Sequence, residues 1–212
     1  MLNELPYLVE DPGANTEPMP GTTEPTFLEL NPDVSPRWEG KHRDGSLWTN
    51  HVLHQLDSID QTFFDVIPTD LNIFCPRYAK LNKTEKKYFF MYLISTMVRF
   101  ESNFDPSASY TEDFTDSDGH AVVSRGLLQI SFESSKSYGC GFTTNEEIHD
   151  PYKNLSCGIK ILTKWVSADG RIAGYMNSKW RGGSRYWSVL RAADKDSYNS
   201  IVELSSNLKI CR

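Results

Sequence analysis

The apolar positions of this chain recur mostly at helical rather than strand spacing. Between about Leu47 and Val66, residues Trp48, Val52, Leu53, Leu56, Ile59 and Phe63 repeat at three- and four-residue intervals, which predicts an amphipathic helix. The next run differs. It begins near Asn82 or Thr84, either of which suits a helix cap, and continues through Tyr88-Phe89-Phe90-Met91-Tyr92-Leu93-Ile94 to Val98 and Phe100. After its first turn it is apolar on every side, the mark of a helix buried at the centre of a domain. Asp105-Pro106 predicts its end, because proline disfavours helical geometry at the residue before it.

Residues 107–120 are polar. Asp118-Gly119 is a turn signal, and Ala121-Val122-Val123 has the character of a short strand, so a small hairpin is expected here. Further helices are predicted over roughly 131–138, 151–166 and 186–194, the second with Asp150 as cap and Pro151 in its first turn. There is no internal repeat. The pattern describes a mainly α domain with a small β-hairpin.

Charge and proline usage divide the 212 residues unevenly. Residues 1–36 hold seven Asp/Glu, no Lys/Arg and seven of the eleven prolines, which predicts an extended acidic arm preceding one domain over 37–212. Leu2, Leu5, Tyr7, Leu8, Phe27 and Leu28 would let that arm lie on the body; a solvated tail is the other expectation. The remainder carries 22 basic against 21 acidic residues, so nothing favours nucleic acid as a partner. No apolar stretch is long enough to span a membrane, and nothing in the pattern demands a dimer.

Cys75, Cys140, Cys157 and Cys211 lack the Cys-x-x-Cys spacing of a zinc site. One or two disulfides are expected, Cys140 with Cys157 first among the pairings; buried free thiols are the alternative. Disulfides would place the protein in an oxidising compartment, secreted or periplasmic. No signal-type leader opens the chain, so export implies a signal peptide already removed.

The chemistry centres on Glu101, at the end of the long apolar run. A carboxyl there is poorly solvated, which favours its neutral form and raises its pKa. Such a group keeps a proton near neutral pH and can donate it to a leaving oxygen, as glycosidic-bond cleavage requires.

Three motifs follow in order: Glu101-Ser102-Asn103-Phe104-Asp105-Pro106, then Ser124-x-Gly126-Leu127-Leu128-Gln129-Ile130, then Asn154-Leu155-x-x-Gly158-x-x-x-Leu162. Together they resemble the lysozyme-like family of soluble lytic transglycosylases and goose-type lysozymes, over roughly residues 80–190. The resemblance implies a lysozyme-like helical fold, a groove for peptidoglycan glycan strands, and cleavage of the β-1,4 bond after N-acetylmuramic acid without any cofactor. It implies that Glu101 is the general acid, that Ser124 lies in the groove wall and that Gln129 lines the groove. Asn154 is expected to be structural. The family's Tyr-Asn pair has two candidates here, Tyr186 and Tyr198-Asn199; Tyr186, closer to the expected distance after Leu162, is preferred as a substrate contact.

The family divides by mechanism. Lytic transglycosylases use a single glutamate and release anhydro products, whereas hydrolases need water delivered by a second carboxylate. Glu112, Asp113, Asp116 and Asp118 stand between Glu101 and the Gly-Leu-Leu-Gln segment, with Glu112 and Asp113 the best candidates. No Lys or Arg lies between Arg99 and Arg125, so the groove is expected to be locally negative and to favour glucosamine exposed by deacetylation. Asp116-x-Asp118-Gly119 is not an EF-hand: Phe114 and Arg125 fall where ligands would be needed. His51 and His54, three apart, have no further ligand cluster and are expected to be ordinary surface histidines. No metal site is expected. A non-catalytic glycan-binding module and a protein-interaction domain remain as competing readings.

Overall fold

The computed structural model describes residues 33–212. Most of the predicted arm lies outside them. Of its described residues, Val34 is fully buried in the core and Asp33 pairs with Lys209; just beyond it the Arg37 backbone N–H donates to Ser95 Oγ.

Helix α1 (Gly45–Ser58) occupies the first part of the predicted amphipathic run; Gln61–Asp65 continues as a separate 3-10 turn capped by Asp60. A short α2 (Leu71–Phe74) leads to α3 (Lys83–Ser102), the central helix. Asn82 and Glu85 form a reciprocal capping box at its start, and Tyr88 to Val98 are buried without interruption. It ends at Ser102, three positions before Asp105 of the Asp-Pro signal. Asn103 adopts the left-handed conformation (φ 50°) and closes the helix by donating to the Arg99 carbonyl.

Strands β1 (Ser109–Thr115), β2 (Ala121–Arg125) and β3 (Ile130–Ser131) form an antiparallel sheet in that order, one strand more than the expected hairpin. The β1–β2 register shifts between Thr111 and Thr115, so β1 is bulged at Glu112 to Phe114. Helices α4 (Phe132–Ser137) and α5 (Pro151–Asp169) follow, the latter capped by Asp150. A second hairpin, β4 (Tyr175–Met176) and β5 (Lys179–Trp180), leads to two 3-10 turns, Gly182–Arg185 and Ser188–Leu190.

The helix predicted over 186–194 is therefore absent; helix α6 (Lys195–Ser206) forms instead, capped by Asp194. Its buried face, with Ile201 and Ser205, packs on α2 and α3, while α1 lies on both α3 and α5. His51, half-buried at the surface, also joins α1 to α5: its Nε2 lies 2.9 Å from Tyr152 O and 2.8 Å from Ser156 Oγ.

Two disulfides close the frame. Cys140–Cys157 ties the end of α4 to α5, and Cys75–Cys211 fastens the last residues to the loop before α3. The second spans 136 positions, a loop length for which chain entropy gives a stabilisation on the order of 4–5 kcal/mol. Among the described residues no helix is long and apolar enough to cross a membrane.

Candidate active site

The tight turn at 126–129 is built around Asn154, on the first turns of α5. Its Oδ1 accepts from Leu128 N at 2.9 Å, and its Nδ2 donates to Ile148 O at 2.9 Å and Arg125 O at 3.1 Å. Gly126 sits at φ 72° directly against this amide; a Cβ there would meet Asn154 Nδ2 at 2.5 Å and Ile148 O at 2.6 Å. On α5, Gly158 leaves the space that Leu128 fills, since a Cβ would lie 2.1 Å from Leu128 Cδ1. Trp187 Nε1 adds a bond to Leu128 O at 2.9 Å. The second and third motifs thus interlock, and Asn154 has the structural role expected of it.

Above this unit opens a cleft of about 900 Å³. Its lining includes Glu101, Glu112, Ser124, Gln129 and Tyr186. Glu101 is contributed by the last turn of α3. One of its oxygens, Oε1, is buried and has no hydrogen-bond partner among the described residues, although the side chain as a whole is partly open to the cleft. Burial, reinforced by the charges of Glu112 and Asp194 and opposed by Arg191, pushes its pKa up to about 8.

Glu112 reaches the cleft from the bulged part of β1 and accepts a 2.5 Å hydrogen bond from Ser124 Oγ on β2. Asp113, its companion at the sequence level, is exposed and does not line the cleft. Successive strand residues face opposite ways, so a backbone that turns Glu112 inward turns Asp113 outward.

Gln129 has left-handed backbone (φ 47°), and its Nε2 donates to Gly126 O at 2.8 Å and Ala108 O at 3.3 Å. Its amide nitrogen is thus occupied within the turn. The Tyr186 hydroxyl accepts from Ser131 N at 3.4 Å, and burial pushes its pKa up to about 12, so it remains a neutral hydroxyl beside Glu101. Tyr198 packs instead against Phe74, away from the cleft.

The expected negative charge is confined to one side of the cleft. Asp116, Asp118 and Glu112 make the hairpin wall acidic, but Lys136, Arg185 and Arg191 come to the cleft from α4 and the 3-10 turns. The sequence interval without Lys or Arg describes one wall only. Arg185 grips Asp169 with two 2.7 Å bonds, holding that carboxyl down at about 2 and offsetting its own charge. Arg191, whose Nε donates to Ser184 O at 3.0 Å, was not singled out from sequence because it lies 90 positions beyond Glu101 in a segment without periodicity.

Asp116, Asp118 and His120 bring ligand-type atoms within 4.8 Å of one another at the hairpin turn. Asp116 Oδ1 already accepts from the Asp118 and His120 backbone N–H groups at 2.9 and 2.8 Å. Those bonds make it a turn-holding carboxylate.

A central helix ending in a desolvated glutamate, a glycine-dependent turn locked by an α5 asparagine, and an acid-bearing hairpin lining the same cleft belong to a lysozyme-like fold. Residues 79–192 match the family model "Transglycosylase SLT domain", and the chain belongs to that family of peptidoglycan-acting enzymes. Among solved structures it is similar to wild-type Bdellovibrio DslA, with 56% identity over 85% of this chain and 99% of that one, at a TM-score of 0.82. Two glutamate-to-glutamine variants of DslA match at 55% identity, 85% and 99% coverage and the same TM-score. Their substituted positions are eleven apart in that protein's numbering, the separation of Glu101 and Glu112 here. No curated protein matches the sequence.

Proposed function

We propose that the protein is an exported, monomeric lysozyme-type hydrolase that cuts β-1,4 bonds of peptidoglycan glycan strands with two carboxylates. The observation that carries this is the buried Oε1 of Glu101, unpartnered among the described residues, on a cleft that Glu112 also lines. Glu101 gives its proton to the glycosidic oxygen as the bond to the anomeric carbon breaks. Glu112, steadied by Ser124, takes a proton from the water that forms the new bond to that carbon. Gln129 and Tyr186 contribute neutral polar groups to the sugars. The eleven-residue spacing of the glutamates replaced in DslA supports a two-carboxylate site, and the two disulfides fit a secreted or periplasmic setting.

The family model's own description favours a second reading, a lytic transglycosylase, in which Glu112 would have no water to activate. Mass spectrometry of purified wall digested by wild type and by Glu112→Gln separates the two. Reducing ends, with turnover lowered about a hundredfold or more in the variant, are expected for the hydrolase. Anhydro ends, with the variant near wild type, would replace it by the lyase.

The acidic hairpin wall supports a preference for strands bearing free glucosamine amines, which Glu112, Asp116 and Asp118 would attract. Faster turnover on chemically deacetylated than on native sacculi, with the advantage shrinking as salt rises, is the expected result. Equal rates would remove the preference and leave the hydrolase standing.

A further inference from the structure

The β4–β5 hairpin has no part in the site described above. Its turn residues Asn177 and Ser178 have φ 50° and 59°, the twist that a two-residue hairpin requires. Tyr175 and Trp180 are directly paired across the strands, so their side chains share a face, with ring centroids 4.8 Å apart. The guanidinium of Arg191 stands over the Trp180 ring at 5.1 Å, and Arg191 also lines the cleft. Tyr175, Trp180 and Arg191 therefore form a continuous row leading from outside the cleft to its wall.

Tyr175 is 58% exposed. A tyrosine so open contributes little to the core, yet its mounting is firm. Both carboxylate oxygens of buried Asp70 accept from the backbone at the hairpin's root, from Ile172 N at 2.9 Å and Ala173 N at 2.8 Å. Gly174 N donates to Ser184 Oγ at 3.0 Å, and Arg181 N to Gly174 O at 2.8 Å. An exposed aromatic face on a rigid base, adjoining a polar cleft, suits a ligand that presents flat C–H faces and hydroxyls together. Pyranose rings have this character, and the electron-rich face of an aromatic ring attracts their C–H groups.

We propose that the Tyr175–Trp180 face is an outlying sugar platform that holds a long glycan strand beyond the cleft and favours polymer over short fragments. The occupant follows from continuity: a strand leaving the cleft past Arg191 meets Trp180 and then Tyr175. The inference rests on the glycan-cleaving reading of the cleft, but its test does not require turnover.

Binding of polymeric glycan strands and of a tetrasaccharide of the same sugars is measured on Glu101→Gln and on Glu101→Gln with Tyr175→Ala. The expected result is a three- to tenfold loss of affinity for polymer and none for the tetrasaccharide. Tyr175→Phe restores the polymer value, and Tyr175→Thr, which keeps strand propensity, behaves as the alanine. In the enzyme carrying Glu101, Tyr175→Ala raises KM for polymer by the same factor and leaves kcat unchanged. Unchanged polymer binding overturns the platform, as does an equal loss on both ligands. Absence of turnover by the wild type on the same strands would instead sink the reading of the cleft and leave the binding comparison intact.

Discussion

The two walls that carry the glutamates are built in opposite ways. Glu101 ends the buried helix α3 and shares its cleft with a floor, the 126–129 turn, whose buried polar groups are locked by Asn154 and Trp187 and where Gly126 and Gly158 leave no spare volume. Glu112 stands on a bulged, largely exposed strand and is held by a single hydroxyl. A proton donor needs a desolvated place that does not relax when it ionises. A base working on water needs access to solvent and only enough support to fix its direction. The contrast teaches that one site can require rigidity of one carboxylate and tolerance around the other.

The sharpest way to break the comparison is Glu101→Gln. Loss of the proton donor is expected to lower turnover about a thousandfold or more. The same variant should be more stable at alkaline pH. Below the ordinary carboxyl value of 4.5, Glu101 is protonated whether the chain is folded or not. As pH rises from there through about 8, the unfolded chain has released the proton and the folded chain retains it, so the wild type loses stability across that window. Glutamine does not titrate, and its advantage should open between those values and reach on the order of 2–5 kcal/mol above pH 8. Chemical denaturation at pH 4 and pH 9 measures it. The wild type's activity should fall over the same alkaline limb, near pH 8. A variant equally active, or one whose advantage over the wild type is no larger at pH 9 than at pH 4, would show that this carboxyl is not the desolvated acid.

The floor itself is tested by Asn154→Ala. Leu128 N, Ile148 O and Arg125 O would lose their shared partner in or beside the core, a cost of about 2–4 kcal/mol. Thermal unfolding reads this directly. A change below 1 kcal/mol would mean that the turn is held by its glycines and Trp187 alone.

The floor was also the more legible wall in sequence, for physical reasons. A helix apolar all round declares its burial, and Glu101 closing it declares a desolvated acid. Gly126, Leu128, Asn154 and Gly158 are residue types whose spacing reflects close packing. The hairpin offered four acids, of which the sequence singled out Glu112 and Asp113 but could not separate the two, because strand alternation and the bulge that orients Glu112 depend on pairing with β2. The expected helix over 186–194 failed for a related reason. Tyr186, Trp187 and Leu190 are apolar at helical spacing, but Tyr186 enters the cleft and Trp187 bonds to Leu128 O, so the segment follows the cavity instead of its own hydrogen-bonding pattern. The cationic side of the cleft was hidden for the same reason, since Lys136, Arg185 and Arg191 reach it only through the fold.

The smallest expected effect tests the tolerant wall. Ser124→Ala removes the one hydroxyl that directs Glu112 but leaves both strands paired through their backbones. Turnover should fall about three- to tenfold, with stability changed by less than about 1 kcal/mol. Ser124→Thr, which restores a hydroxyl on a residue that favours strands, should recover most of the lost rate. The bond acts on the base and not on binding, so the loss belongs in kcat with KM unchanged. A loss confined to KM would make Ser124 a sugar contact instead. A thousandfold loss would mean that the hairpin is as intolerant as the floor, and the division of labour between the two glutamates would have to be redrawn.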